Sequence, residues 1–262
     1  MCPSMSFPSE AAPALLSWAT EELRSAGVPR PRHDAGALLD DALEILQAGV
    51  RRRAAREPLE YVRRRTVFRG LELEVDARVF IPRPETELLV EAALGLPPGA
   101  TVLEPCTGSG AVALALKHER PDLDVTATDR SAAAIDVARA NAQRLGLRVH
   151  FAVVDGVSGA YDAIVSNPPY VAETEAGMGS RPPELERHEP PDAFWAGPDG
   201  LAFHRRLVRE LGGTRFVALE VGDGQADAVC ALLAATAGLR CTARRRAPSG
   251  AVRVVVAERA AP

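Results

Sequence analysis

The stretch Thr101-Val102-Leu103-Glu104-Pro105-Cys106-Thr107-Gly108-Ser109-Gly110 decides the fold. Its first half reads as a strand, its second as a glycine-bearing turn, and the alanine-rich residues 111–117 behind it as a helix. The same rhythm continues downstream. Strand-like runs at 101–104, 124–129, 148–154, 161–166 and 215–221 are accompanied by helical texture at 111–117 and 132–145. Strands alternating with helices predict a doubly wound, mostly parallel sheet of the Rossmann-like α/β kind. Two further runs, 240–244 and 252–258, flank Pro248-Ser249-Gly250, which predicts a closing antiparallel pair and seven strands in all.

Upstream the texture differs. Ser9 can cap a helix whose apolar side is Leu15, Leu16, Trp18 and Leu23, with Gly27 ending it. Leu38, Leu39, Ala42, Leu43 and Leu46 predict a second helix that stops near Gly49. Thr66-Val67-Phe68, the turn Arg69-Gly70 and the alternating Leu71-Glu72-Leu73-Glu74-Val75 read as a β-hairpin. Three parts follow: a small helical domain over 1–65, a hairpin linker over 66–80, and the α/β domain over 81–262. Phe80 to Glu87 is a proline-punctuated entry to another helix, closed by Pro97-Pro98-Gly99.

Composition excludes several classes. With 47% hydrophobic and 25% charged residues in 262, the chain reads as an ordinary soluble protein. Apolar runs such as Phe216-Val217-Ala218-Leu219 fall far short of the ~20 residues of a membrane span. Residues 1–8 show no secretory pattern, so a cytoplasmic location is expected. Cys2, Cys106, Cys230 and Cys241 are scattered, which argues against a metal site and against a disulfide framework. A net charge of −4 argues against a nucleic-acid partner. The arginine-dense stretch Arg51, Arg52, Arg53, Arg56, Arg63, Arg64 and Arg65 reads first as a solvated face and second as a docking surface.

Gly108 and Gly110 let the backbone turn sharply at a strand's carboxyl end, where α/β sheets bind ligands. Asp129 ends the next strand, at the spacing of an acid that accepts ribose hydroxyls. A lone G-x-G is weak evidence, but Glu104 within the first strand and Asp155 closing the third sharpen it. A dinucleotide site would place a glycine where Ala113 stands, and phosphates need no acid like Glu104. The pattern therefore favours S-adenosylmethionine, with Glu104 anchoring its amino-acid part and Asp155 near the adenine.

Residues 161–166 run straight into Asn167-Pro168-Pro169-Tyr170. Asn-Pro alone marks a turn. An amide and an aromatic flanking two prolines beside the cofactor crevice also suit methyl transfer to a planar nitrogen, whose lone pair is delocalised. The Asn167 side-chain oxygen and the Pro168 carbonyl can each accept one N–H, aiming the lone pair and stabilising the positive charge that grows on nitrogen. Pro168 and Pro169 stiffen the loop and bring no N–H groups of their own. The Tyr170 ring can pack on a planar substrate.

With these residues in place, the chain resembles the HemK/PrmC family of protein-glutamine methyltransferases, which modify the Gly-Gly-Gln glutamine of peptide-chain release factors. The likeness spans nearly the whole chain. It includes Asn167-Pro168-Pro169-Tyr170, Phe80-Ile81-Pro82-Arg83-Pro84-Glu85-Thr86-Glu87, His188-Glu189-Pro190, Gly197-Pro198-Asp199-Gly200-Leu201, and Glu220-Val221-Gly222 with Gln225. The resemblance implies that S-adenosylmethionine lies against Phe80, the loop Cys106, Thr107, Gly108, Ser109 and Gly110, then Asp129, Asp155, Gly156 and Asn167. It also implies that the N-terminal helices help hold a release factor. Three departures stand out: Cys106 replaces a family glycine, the region before Phe80 is short around 49–56, and the final strands lack the family's aspartate before the turn, having Ala247-Pro248-Ser249-Gly250. Methylation of a small amino-acid-like molecule, such as the guanidine of free arginine, is the alternative. A DNA or RNA amino group ranks third.

Overall fold

The computed structural model describes residues 11–175 and 182–260; the predicted Ser9 cap lies outside them. Contacts divide the chain into two compact units, Met1–Glu57 and Pro58–Pro262. In the first, helices α1 (Ala11–Ser25) and α2 (Pro31–Ala54) pack as a helical hairpin, and Gly27 at φ +77° makes the turn after α1. Leu15, Trp18, Leu38, Ile45 and Leu46 stay exposed, so part of the apolar face expected for these helices is open. The helix α2 does not stop near Gly49 but runs on to Ala54. A single glycine costs about 1 kcal/mol in a helix, and the following Val-Arg-Arg-Arg-Ala run propagates it, with cations favourable at the carboxyl end.

The second unit opens with α3 (Leu59–Arg63), whose buried Tyr61 donates its hydroxyl to the Val79 carbonyl at 2.6 Å. Strands β1 (Arg65–Phe68) and β2 (Leu71–Glu74) form the expected antiparallel hairpin. A 3₁₀ turn at Pro84–Thr86 then leads into α4 (Glu87–Ala93).

The main sheet is built from β3 (Thr101–Pro105), β4 (Asp124–Asp129), β5 (His150–Val153), β6 (Ala163–Ser166), β7 (Phe216–Glu220), β8 (Arg240–Arg246) and β9 (Val252–Glu258). Their order is β5-β4-β3-β6-β7-β9-β8, parallel except where β9 pairs with β7 and β8. Helices α5 (Ala111–Glu119) and α6 (Ala132–Leu145) fall where expected. The structure adds α7 (Pro183–His188), α8 (Ala202–Glu210) and α9 (Ala226–Ala237).

Central strands are apolar at nearly every position because both faces are covered. Val102, Ala163, Val165 and Ala218 point into one core with Leu89, Val90 and Leu114. The alternate residues Leu103, Ile164, Val217 and Leu219 point into the other with Leu207, Val229 and Leu233. The sequence order reverses between β3 and β6, and a parallel sheet opens its ligand crevice at the carboxyl ends on either side of such a switch. The glycine turn follows β3 and the Asn-Pro-Pro-Tyr loop follows β6, so the topology brings both to one crevice. Ser166 Oγ donates to the Pro105 carbonyl at 2.7 Å and fastens the two strand ends together.

A second expectation is overturned. Cys230 on α9 and Cys241 on β8 form a disulfide. The tight turn at Gly238, φ +63°, folds α9 back along β8 and brings the two Cα atoms to 5.7 Å.

Candidate functional site

A cavity of about 1120 Å³ opens at the switch point, lined among others by Phe80, Glu104, Cys106, Thr107, Gly108, Ser109, Asp129, Asp155, Gly156 and Asn167 to Tyr170. Every predicted site residue except Gly110 lines it. Gly110 sits behind the wall at φ +84°, where an added Cβ would come within 3.2 Å of Ala138 Cβ. Here the lack of a side chain serves close packing of α5 on α6.

On the β3–β4 side, Asp129 accepts the Gly108 amide at 3.0 Å and the Ser131 amide at 2.9 Å, one on each carboxylate oxygen. Glu104 is buried and accepts the Thr107 hydroxyl at 2.6 Å and the Ala113 amide at 2.9 Å, both on Oε2. Its other oxygen has no hydrogen bond to any described residue. Burial pushes this carboxyl up to about 8, against the pull of those two donors. Cys106 has φ +60°, a left-handed conformation that glycine adopts freely and other residues at a cost. Burial raises its thiol well above the ordinary range, so it is no ready nucleophile.

Asp155 and Gly156 form the turn after β5. Arg206 of α8 donates Nη1 to Asp155 Oδ1 at 2.8 Å and Nη2 to its carbonyl. Glu210, one turn on, accepts Arg206 Nε at 3.0 Å and the Val157 amide at 2.9 Å. These two long side chains clamp the turn, and Arg206 itself lines the cavity. Their Arg-x-x-x-Glu spacing on a helix is the only signal the sequence offers for them.

The loop Asn167 to Tyr170 is tied at each end. Asn167 Nδ2 donates to Thr86 Oγ1 at 3.1 Å, so its Oδ1 remains available as an acceptor. The Tyr170 hydroxyl donates to Glu220 Oε1 at 3.1 Å, and the Tyr170 carbonyl accepts Gln225 Nε2 at 2.8 Å. Gln225 Oε1 in turn accepts the Gly222 amide at 2.8 Å. On the other wall, buried Glu189 accepts the Ile81 amide at 3.2 Å and pairs with Arg83, whose guanidinium stacks 4.5 Å over the Phe80 ring. Thr86, Glu189, Glu220 and Gln225 all lie within the quoted motifs, but which residues they hold appears only once the chain is folded.

The doubly wound sheet, the glycine turn and acid after β3 and β4, and the Asn-Pro-Pro-Tyr loop after β6 together define a methyltransferase. The family model of the methyltransferase small domain matches residues 84–179. The release factor glutamine methyltransferase of Deinococcus radiodurans is 40% identical over 222 residues, covering 75% of this chain and 79% of that relative. Its namesake in Geobacter sulfurreducens is 34% identical over 272 residues, covering 92% of this chain and 94% of that one. The chain belongs to the release factor glutamine methyltransferase family. A solved Pyrococcus furiosus methyltransferase shares the fold, with TM-score 0.55 and 19% identity over 74% of this chain and 91% of that one.

Proposed function

We propose that this enzyme transfers a methyl group from S-adenosylmethionine to the side-chain amide nitrogen of a glutamine in a peptide-chain release factor. The observation that carries this reading is the orientation of Asn167. With its N–H group engaged by Thr86, its oxygen is the atom offered to an acceptor N–H. The names of its relatives supply the substrate, since both are release factor glutamine methyltransferases.

The residues at the β3–β4 edge suit the cofactor. Asp129 spends one lone pair per oxygen on backbone amides and keeps others for two ribose hydroxyls. At Gly108 the space a Cβ would occupy has nothing within 4 Å, so a ligand can approach the backbone. Glu104 offers its unused oxygen to the amino-acid end, and Asp155-Gly156 borders the adenine. When bound, S-adenosylmethionine supplies an electrophilic methyl on a sulfonium centre.

Asn167 Oδ1 and the Pro168 carbonyl each accept one N–H of the acceptor amide. This turns the nitrogen lone pair toward the methyl and stabilises the charge that develops as planarity is lost. The proline pair keeps both acceptors from moving, and the Tyr170 ring packs against the amide plane. No side-chain base is required, because an N-alkylated amide cation is strongly acidic. The exposed apolar residues of α1 and α2 suit these helices to holding the protein partner, in the cytoplasm.

The reading is tested with methyl-labelled donor and three acceptors: release factor, the same factor with its glutamine replaced, and free arginine. Label should enter the first alone. Labelled arginine with an untouched release factor would transfer the assignment to small-molecule methylation.

Asp129→Ala should weaken S-adenosylmethionine binding by about 1–3 kcal/mol, the scale of hydrogen bonds to a charged group. The loop amide of Gly108 loses its partner in the same variant, which adds to the effect. Calorimetry reads it directly, and wild-type affinity would remove Asp129 from the site.

A further inference from the structure

Glu220 is the last residue of β7 and is 1% exposed. Ser166 pairs with Leu219, so the next residues outward, Asn167 and Glu220, leave adjacent strands side by side. Few carboxyls are buried this deeply without an ion pair, because desolvation disfavours the charge. Here Oε1 takes the Tyr170 hydroxyl, while Oε2 is buried with no hydrogen-bond partner among the described residues. The Thr86 hydroxyl favours the ionised form, and the same hydroxyl receives Asn167 Nδ2. Tyr170 thus holds the carboxyl directly, while Thr86, which receives Asn167 Nδ2, pulls the carboxyl toward its ionised form from a distance at which no hydrogen bond joins them.

We propose that Glu220 is a positioning residue whose ionised carboxylate holds the Asn167 amide and the Tyr170 hydroxyl in the geometry for methyl transfer, and whose protonation lets the amide flip. This rests on the methyl-transfer reading above and adds the group that governs it. While Glu220 is ionised, the Thr86 hydroxyl is drawn toward it and presents lone pairs to Asn167 Nδ2. The amide is then locked with Oδ1 facing the acceptor. A proton on Glu220 removes that draw. Thr86 is then free to donate to Asn167 Oδ1 instead, and the flipped amide would aim N–H groups at the acceptor N–H. The switch moves no backbone and consumes no reagent other than a proton.

The surroundings of Glu220 place its titration near neutrality. Burial pushes the carboxyl up to about 7; the Thr86 and Tyr170 hydroxyls pull it down, Glu85 raises it and Arg253 lowers it. From α8, His204 holds the Glu220 carbonyl through Nε2 at 3.1 Å, and burial lowers that imidazole to about 4, so it stays neutral throughout. Tyr170 is raised by burial and by Glu220 itself. Glu104, pushed by burial to about 8 on the cofactor side, lies in the same range.

The test is single-turnover methyl transfer to release factor across about pH 5.5–9 at saturating cofactor, for wild type, Glu220→Gln and Tyr170→Phe. Wild type should rise about tenfold per pH unit below about pH 7 and level off above. Glu220→Gln should be slower by about tenfold or more on the plateau, without that inflexion and with unchanged cofactor affinity. Tyr170→Phe removes a donor that favours the ionised form, so its inflexion should move to higher pH. A titration of Glu104 would not respond to that change. A Glu220→Gln enzyme that keeps the wild-type inflexion overturns the proposal. The carboxyl can also be followed without any acceptor, by its infrared band in the free enzyme, which covers a Gln variant that fails to fold. Ionisation near pH 7 that shifts in Tyr170→Phe supports the proposal. A Glu220 carboxyl already ionised at about pH 5.5 sinks it, whatever the enzyme's acceptor proves to be.

Discussion

Asn167→Ala is expected to lower single-turnover methyl transfer by about 10²–10³, the typical cost of removing one preorganised acceptor or donor at a reacting centre. The change leaves β6 and the Pro168-Pro169 bend in place, so the strand and the loop path survive. What is lost is the oxygen proposed to meet one acceptor N–H and the amide that ties the loop to Thr86 at 3.1 Å. Cofactor affinity should fall modestly, since the side chain lines the cavity proposed to hold the cofactor. Asn167→Asp separates the two roles. It keeps an acceptor oxygen, and the Thr86 hydroxyl can rotate to donate to the new carboxylate. That rotation takes Thr86 away from Glu220 and sets a second charge near a buried carboxyl, so activity should lie between wild type and alanine. Rates are compared at saturating donor, with chromatographic detection of methylated acceptor. Wild-type turnover in Asn167→Ala would reduce the tetrapeptide to a rigid turn.

Strands and motifs were legible in the sequence for a physical reason. A strand buried on both faces must be apolar at consecutive positions, and Ala163-Ile164-Val165 can be read no other way once a turn follows. Asp129 and Asn167 were legible because each stands at a strand's end, where the sheet's own geometry makes a crevice. The sequence is silent where a contact depends on folding at long range. Asn167 and Thr86 are 81 residues apart, and Tyr170 and Glu220 are 50 apart. No periodicity encodes those partnerships. Cys230 and Cys241 failed differently: their 11-residue separation is short, but only the reversal at Gly238 turns it into proximity. Gly49 misled because glycine is a weak helix former and not a stop.

Gly200→Ala is expected to lower turnover by about 10²-fold while leaving cofactor affinity nearly unchanged. Gly200 sits at φ +73° in the loop after Pro198, directly behind the acceptor loop. A Cβ there would overlap the Tyr170 carbonyl oxygen and lie 2.7 Å from Gln225 Nε2 and 3.0 Å from the Ala172 amide nitrogen. Two of those three atoms are backbone, so no rotamer change can make room. Either the Gln225 bridge from Gly222 to the Tyr170 carbonyl breaks, or the Asn167–Tyr170 loop shifts outward. A displacement of about 1 Å at a reacting centre is enough for a loss of this size. The positive φ adds about 1–2 kcal/mol of backbone cost, which must be separated from the collision. Gly146→Ala does this: Gly146 ends α6 at φ +67°, with nothing within 4 Å of its Cβ position and no place in the cavity lining. That variant should show the backbone cost alone in thermal unfolding, with wild-type turnover. Equal turnover in the two alanine variants would mean that Gly200 serves chain reversal alone and that the bridge through Gln225 does not position the acceptor loop.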